Sequence, residues 1–390
     1  MDRLRCQIQP YAWGSHRAIA ALRGQGPTAQ PEAELWVGAH PLAPSMVVRH
    51  ERWIGLDQAI YDNPVGELGA AVVAEFGPRL PFLAKILAAH EPLSLQTHPD
   101  HATARAGFDR ENGAGLPLGA RNRTYKDASA KPEILVALSD FQGVCGFRPV
   151  PATITFLTEL DVSLLSDSIE VLRSSPDASG LRQVVTGLLS LEEPSRHCLV
   201  TEILAAALRY QGPNADIVAW LPRLQQLYPD DIGLGIVLLL NYVSLRPGEA
   251  LFLQAGNLHA YLHGLGVEVM ANSDNVLRSG FTHKYLDVPE LLAITDFAPL
   301  LDPVFRPSST TTTTDARVTV FQPPVAEFGV TRIDLDGSYD ITDTGPAVVL
   351  CTHGEVSGLR PTEAAFVRPG ACHLEGRGTV WWVTVGHRAE

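Results

Sequence analysis

Pro92-Leu93-Ser94-Leu95-Gln96-Thr97-His98-Pro99-Asp100 is the stretch on which the fold of this chain turns. The run from Leu93 to Thr97 after Pro92 favours a strand. Side chains two apart on a strand share a face, so Ser94, Gln96 and His98 project one way and Leu93, Leu95 and Thr97 the other. Alone, such a pattern describes a solvated strand face. A second stretch, Lys131-Pro132-Glu133, opens the apolar run Ile134 to Leu138, where a buried carboxylate needs a cation, a metal or hydrogen bonds. A structural Lys131/Glu133 pair is the plain alternative. The third stretch, Gln254 to Gly280, is the densest. His259, Tyr261 and His263 share one strand parity, and the glycines after them predict a tight return, a hairpin that brings Glu268 back alongside. Satisfied histidines near a turn are the competing reading.

Together, Gln96, His98, Glu133 and His259 supply the nitrogen and oxygen ligands that zinc accepts, with a position left for water or substrate; iron or manganese would tolerate the same set. These residues are far apart in the chain. Only a fold that brings distant strands into one barrel assembles them.

Working outward, residues 1–150 read as short strands punctuated by turns. Ala33 to Val37 and Met46 to Arg49 are strand-like, Trp53 to Ile60 and Ala70 to Phe76 are helix fragments, and Pro81 to Ala89 fits either. From Pro151 apolar residues recur at three- and four-residue spacing, in Ile154 to Leu160, Ser168 to Ser174, Gly180 to Leu191, His197 to Tyr210 and Ile217 to Leu227. Pro222 should break or kink the last of these. A helical insertion is expected at 151–243, ending with Ile232 to Tyr242. The strand-rich unit resumes over 244–300. Residues 301–316, with Pro303, Pro307 and the threonine run, read as a linker. Short alternating segments over 317–390 predict a second sheet sandwich.

The 390 residues carry 30 Lys+Arg against 43 Asp+Glu, a net charge of −13 that disfavours nucleic acid and anionic membranes as main partners. A small anion can still find a local cationic cluster. No apolar run is long enough for a membrane span and the opening is polar, so a cytoplasmic protein is expected. Five scattered cysteines without a Cys-x-x-Cys pair fit a reduced compartment and are expected to be buried packing residues.

Several stretches, in order, resemble the type I phosphomannose isomerase (mannose-6-phosphate isomerase) family. Tyr11-Ala12-Trp13-Gly14-Ser15, Ala33-Glu34-Leu35-Trp36-Val37-Gly38-Ala39-His40-Pro41 and Leu83-Ala84-Lys85-Ile86-Leu87 precede Pro92 to Asp100. Lys131-Pro132-Glu133, Gly143-Val144-Cys145-Gly146-Phe147-Arg148, His259-Ala260-Tyr261-Leu262 and Ala271 to Arg278 follow them. The resemblance implies cupin-type jelly rolls with a helical insertion, mainly β and α+β overall. It matches Gln96, His98, Glu133 and His259 to the ligands of one zinc ion per chain, and Arg278 to an active-site arginine. Lys85, Ser94, Lys131, Tyr261, Glu268, Asp274 and Lys284 fall on positions lining the substrate pocket.

The implied reaction interconverts mannose 6-phosphate and fructose 6-phosphate through a cis-enediol, feeding mannose and GDP-mannose metabolism, in a monomer whose partner is a small sugar phosphate. A metal can polarise the carbonyl and Arg278 can stabilise the enediolate. Glu268 and Lys131 are the expected proton carriers between C1 and C2, with Asp274 and His98 candidates for ring opening. Lys85, Arg278 and Lys284 are the cations available to a phosphate and Ser94 a hydroxyl donor, with a plain surface charge as the alternative for Lys284. Two other classes compete: a metal-binding cupin of another reaction class, and a sugar-phosphate-binding cupin without turnover. Two departures stand out. The family carries Asn-His before Lys-Pro-Glu where this chain has Ser129-Ala130, and Thr-Pro-Lys where it has Thr282-His283-Lys284.

Overall fold

The computed structural model describes residues 1–342 and 345–386. Positions 343–344 and 387–390 of the predicted C-terminal unit lie outside the described residues. The architecture is mainly β with a helical insertion, as expected. An eleven-stranded and a seven-stranded antiparallel sheet dominate.

In the larger sheet, Glu34–Gly38, Phe82–Ala89 and Glu133–Ala137 are buried along their whole length. Leu35, Val37, Ala84, Ile86, Ile134 and Val136 pack into one core with Phe321 and Trp381 of the smaller sheet and with Phe328 just before its strand Gly329–Ile341. Alternation sends Glu34, Trp36, Lys85 and Glu133 to the opposite face. One face therefore glues the two sheets together and the other is loaded with chemistry.

The strand His259–Ala271 runs unbroken, so the predicted hairpin does not form. Its first part pairs with Phe141–Phe147 and, at His259, with Gln96; its second pairs with Phe82–Ala89 and Glu133–Ala137. The register shifts between Tyr261 and His263, where the strand changes partners. One extra residue inverts side-chain parity beyond it. Glu268 thus joins the face of Tyr261 and His259, while His263, expected beside them, is exposed. Gly264 makes the bend possible: its φ is +133°, and a Cβ there would lie 2.6 Å from Phe141 Cδ2. The glycine bends one strand where a return was expected.

Phe141–Phe147 and Leu240–Leu245 pair with each other, so the helical excursion leaves and re-enters at one place. Its helices include Val150–Leu160, Ala178–Leu189 and Ser195–Ala207, and Phe156, Leu181 and Ile203 cover Leu258, Ala260 and Leu262, the outward face of the long strand. The segment from Ile217, expected to break or kink at Pro222, forms Ala215–Val218 and Leu221–Leu227, with Pro222 in the first turn of the second, where its missing amide costs least. The last helix, Gly233–Val237, ends before the expected boundary because Leu240 already pairs with Phe147.

Three further local expectations change, and one contact is new. Trp53 lies in the strand Arg52–Gly55, and the helix starts only at Leu56. The segment expected as a linker carries Val304–Phe305, paired with Ala250–Leu253, and Ser309–Thr312, an exposed strand on Ala316–Phe321. Its β-branched threonines suit an edge strand. Asp2–Arg3 pairs with Ala364–Val367, which stitches the start of the chain to the C-terminal sheet. Cys145, Cys351 and Cys372 are buried, but Cys6 is half-buried and Cys198 is exposed, on the face of its helix opposite the buried Leu199, Val200 and Ile203. No helix among the described residues is long and apolar enough to cross a membrane.

Candidate active site

Direct cross-strand partners point to the same side of a sheet. Arg278 opposes Gln96, and Gln96 opposes His259, so these three form one row across three strands. A second row, Trp36, Lys85 and Glu268, crosses the other part of the sheet. Glu133 stands opposite Met270 on the neighbouring strand. The site lies where the two parts of the sheet converge at the bend of the long strand.

His98, Glu133 and His259 offer ligand atoms within 4.8 Å of one another, all three residues buried. His98 Nδ1 contacts the Asn275 carbonyl at 2.7 Å and His259 Nδ1 the Asn257 carbonyl at 2.9 Å. A carbonyl only accepts, which assigns the ring proton to Nδ1 in both. Each Nε2 is then a bare lone pair, buried and without a hydrogen-bond partner. These lone pairs face Glu133 oxygens at 3.4 and 3.7 Å. Acceptor facing acceptor is unfavourable unless a cation stands between them, so these residues fit a metal ion bound by N and O donors. Gln96 Oε1 adds an oxygen of the same row and accepts from Ser94 Oγ at 3.0 Å.

Burial drives both imidazoles toward the neutral form: His98 is lowered, and His259 falls to about 4. Burial alone would raise Glu133, but the Lys131 ammonium, in direct contact with it, outweighs this and holds the carboxyl well below its usual range. Lys85 Nζ lies 2.9 Å from Glu268 and 3.5 Å from Glu34. Burial works against its charge, yet Glu268, Glu34 and Glu133 together raise its pKa. Glu268 moves up, mainly through burial, and Tyr261 rises well above its range through burial and the nearby Glu268. Trp36 anchors the array, its Nε1 donating to Glu34 at 2.6 Å.

Above this floor opens a cleft of about 1130 Å³. Glu34, Lys85, Ser94, Gln96, Lys131, Asp274, Arg278 and Lys284 line it. His98, Glu133, His259, Tyr261 and Glu268 are buried and do not line it, although Gln96 and Lys131, which touch this group, do. Ser94 Oγ accepts from Arg278 Nε at 3.2 Å, and Lys126 Nζ donates to the Leu118 carbonyl at 2.7 Å, so neither cation is tied to a carboxylate by these contacts. Burial lowers Arg278 and Lys126, and Arg278 lowers Lys284. The outer cleft therefore presents positive charge that an anion would relieve.

The comparison with known proteins agrees with this geometry. Residues 1–150 match the model of the phosphomannose isomerase type I catalytic domain. A mannose-6-phosphate isomerase of Salmonella typhimurium is 38% identical over 393 residues, 97% of each chain. One from Homo sapiens is 34% identical, covering 92% of this chain and 89% of the relative. The chain belongs to the type I phosphomannose isomerase family. Among solved structures, a mannose 6-phosphate isomerase bound with zinc and yttrium superposes with a TM-score of 0.88 at 35% identity, covering 99% of this chain and all of that one. A variant of phosphomannose isomerase from Salmonella typhimurium gives 0.90 at the same identity and coverage.

Within this member of the phosphomannose isomerase family, the structure adds residues that sequence reasoning left unassigned. Glu34, Trp36 and His40 line the cleft from a stretch already quoted for its family likeness. Period-two alternation puts Glu34 and Trp36 on one face, a signal that was available. Lys126 also lines the cleft. Asp127 and Asn275 had no such signal. The Asp127 carboxylate receives Ser273 Oγ at 2.9 Å and the Asp274 amide at 2.8 Å, while buried Asn275 bonds Lys126 N, Asp127 O and Ser129 O. Position 130, where the family carries histidine, is a buried alanine.

Proposed function

We propose that the protein is a zinc-dependent aldose–ketose isomerase that interconverts mannose 6-phosphate and fructose 6-phosphate through a cis-enediol, supplying mannose and GDP-mannose metabolism. The observation that carries this reading is the pair of bare, buried imidazole nitrogens facing Glu133 directly beneath a cation-lined cleft. His98, Glu133, His259 and Gln96 would hold the zinc. When bound, the ion supplies Lewis acidity toward a sugar oxygen.

The chain's own residues divide the remaining work. Arg278, Lys284 and Lys126 surround the outer cleft and take the phosphate, with Ser94 holding the Arg278 guanidinium. Lys85, kept charged by three carboxylates, places positive charge beside the developing enediolate. Lys131 reaches the cleft wall, whereas Glu268 stands one contact behind, paired to Lys85, and Tyr261 lies beneath with it. Lys131 is therefore the group at the substrate that carries the proton between C1 and C2, and Glu268 fixes the charge and place of Lys85. Asp274, facing the cleft, serves ring opening. The five free thiols support a cytoplasmic setting, and the self-contained cleft supports a monomer.

The test is fructose 6-phosphate formation from mannose 6-phosphate, before chelation, after it, and after zinc is restored. Activity should vanish and return. Sugar phosphate binding without turnover by zinc-loaded protein would favour a binding module, and absence of binding would refute the substrate. Lys131→Met should abolish exchange of the C2 proton with solvent while leaving sugar phosphate binding in place; retained exchange would remove Lys131 from the proton path.

A further inference from the structure

His40 takes no part in the functions assigned so far, yet its placement is unusually constrained. It follows the strand Glu34–Gly38, is 2% exposed, and packs edge-on against Trp36 with ring centroids 4.8 Å apart. The Leu42 amide donates to its Nδ1 at 3.2 Å. An N–H cannot donate to another N–H, so this bond assigns the lone pair to Nδ1 and the ring proton to Nε2. Nε2 stands 3.3 Å from Asp274 Oδ1. Asp274 is fixed from the other side as well, its backbone amide donating to Asp127 at 2.8 Å. His40 and His283 are the cleft-lining imidazoles among the described residues, and His283 is exposed at the mouth beside Tyr228. With alanine at position 130, His40 is the imidazole in contact with a carboxylate of the cleft wall.

We propose that His40 is a positioning residue for ring opening: through its Nε2–H it holds one oxygen of Asp274 and leaves the other, in the cleft, as the base. This rests on the ring-opening role proposed above for Asp274. In that step Asp274 takes the proton of the anomeric hydroxyl, the C1–O5 bond breaks as C1=O1 forms, and water in the cleft protonates O5. Asp274 later returns its proton to solvent. Burial pushes the Asp274 carboxyl up, but the bond from His40 leads the influences that bring it below its usual range. The other groups bearing on it are Lys131, Lys85, Lys126 and the Tyr11 hydroxyl. Without His40 the carboxylate loses the donor that fixes which of its oxygens faces the cleft.

The experiment measures kcat and KM of the zinc-loaded enzyme at neutral pH for the wild type, His40→Leu, His40→Gln and Asp274→Asn. His40→Leu should lower kcat about tenfold with KM nearly unchanged, because the carboxylate is no longer held in place. His40→Gln, which can still present an N–H to Asp274, should recover much of the loss. Adding His40→Leu to Asp274→Asn should change the rate less than about twofold, because the held group is already gone. If Asp274→Asn is impaired but His40→Leu keeps the wild-type kcat, or if Leu and Gln lose activity equally, His40 is only packing and the proposal is overturned. If Asp274→Asn turns over like the wild type, the ring-opening reading fails first and the proposal falls with it.

Discussion

Replacing Asn275 by alanine should damage stability and metal binding separately, and both effects can be sized. The side chain is fully buried and makes three bonds shorter than 3.0 Å: Lys126 N at 2.7, Asp127 O at 2.8 and Ser129 O at 2.9 Å. The Ser129 carbonyl keeps a second donor, Ser273 Oγ at 3.2 Å. Lys126 N and Asp127 O lose their closest partner. Net loss of about 1 kcal/mol for each bond, plus about 1 kcal/mol for each newly unpaired group, gives about 3–5 kcal/mol for the metal-free protein. The same residue's backbone carbonyl receives His98 Nδ1 at 2.7 Å. Loosening such a support costs about ten- to a hundredfold in metal affinity, so zinc at a fixed concentration should stabilise the variant by about 1.4–2.7 kcal/mol less than the wild type. Urea unfolding in chelator and in zinc, with a competition measurement of zinc affinity, reads both. An unchanged zinc affinity would refute the claim that this side chain sets the His98 carbonyl partner. A metal-free loss below about 1 kcal/mol would refute the bonding account itself.

Gly264→Ala should cost about 2–4 kcal/mol in urea unfolding, because the residue sits at φ +133° with the new Cβ 2.8 Å from the Asp140 carbonyl; a near-neutral result would mean the bend does not depend on glycine. Lys85→Met strands two buried carboxylates and should destabilise by about 3–5 kcal/mol, with Glu268→Gln in the same chain restoring part of the loss; absence of that rescue would separate the two residues energetically. Because the folded His259 pKa is about 4 against an ordinary 6.5, the unfolded chain binds more protons between those values. The metal-free protein should therefore be steady above pH 6.5 and lose up to about 3 kcal/mol through His259 as pH falls toward 4, an effect that His259→Gln should reduce while the likewise lowered His98 keeps its own share; a flat profile would place the imidazole in water.

The elements with strong local signals were legible. The burial of Phe82–Ala89 follows from its apolar run, and the break at Pro222 from a missing amide. The three-residue strand Leu95–Thr97 presents Ser94 and Gln96 to the cleft and buries Leu95 and Thr97, as alternation predicts. The bend in His259–Ala271 was not legible, since a glycine pair permits a bulge as readily as a turn. The choice was made by long-range pairing with Glu133–Ala137 and Phe82–Ala89, which a local pattern does not contain. Asn275 and Asp127 were invisible for a related reason: their value is to join two segments distant in sequence, and nothing in composition distinguishes them from loop residues.

That one inserted residue also explains how the floor tolerates its charge. Without the shift after Tyr261, Glu268 would share the parity of Ala260 and Leu262 and face the apolar core beneath the helices, where a carboxylate has no partner. With it, Glu268 reaches Lys85, and Lys85 reaches Glu34, which Trp36 holds. The two deep carboxylates then separate. Glu133, in contact with Lys131, stays ionised, while Glu268, which also feels the negative Glu133 and Glu34, is raised, mainly by burial. Repulsion from Glu133 is part of what raises Glu268, so a cation held by His98, Glu133 and His259 weakens that repulsion and favours the ionised Glu268 that Lys85 requires. Metal affinity and the charge state of the Lys85 pair are thereby linked through the bend of a single strand.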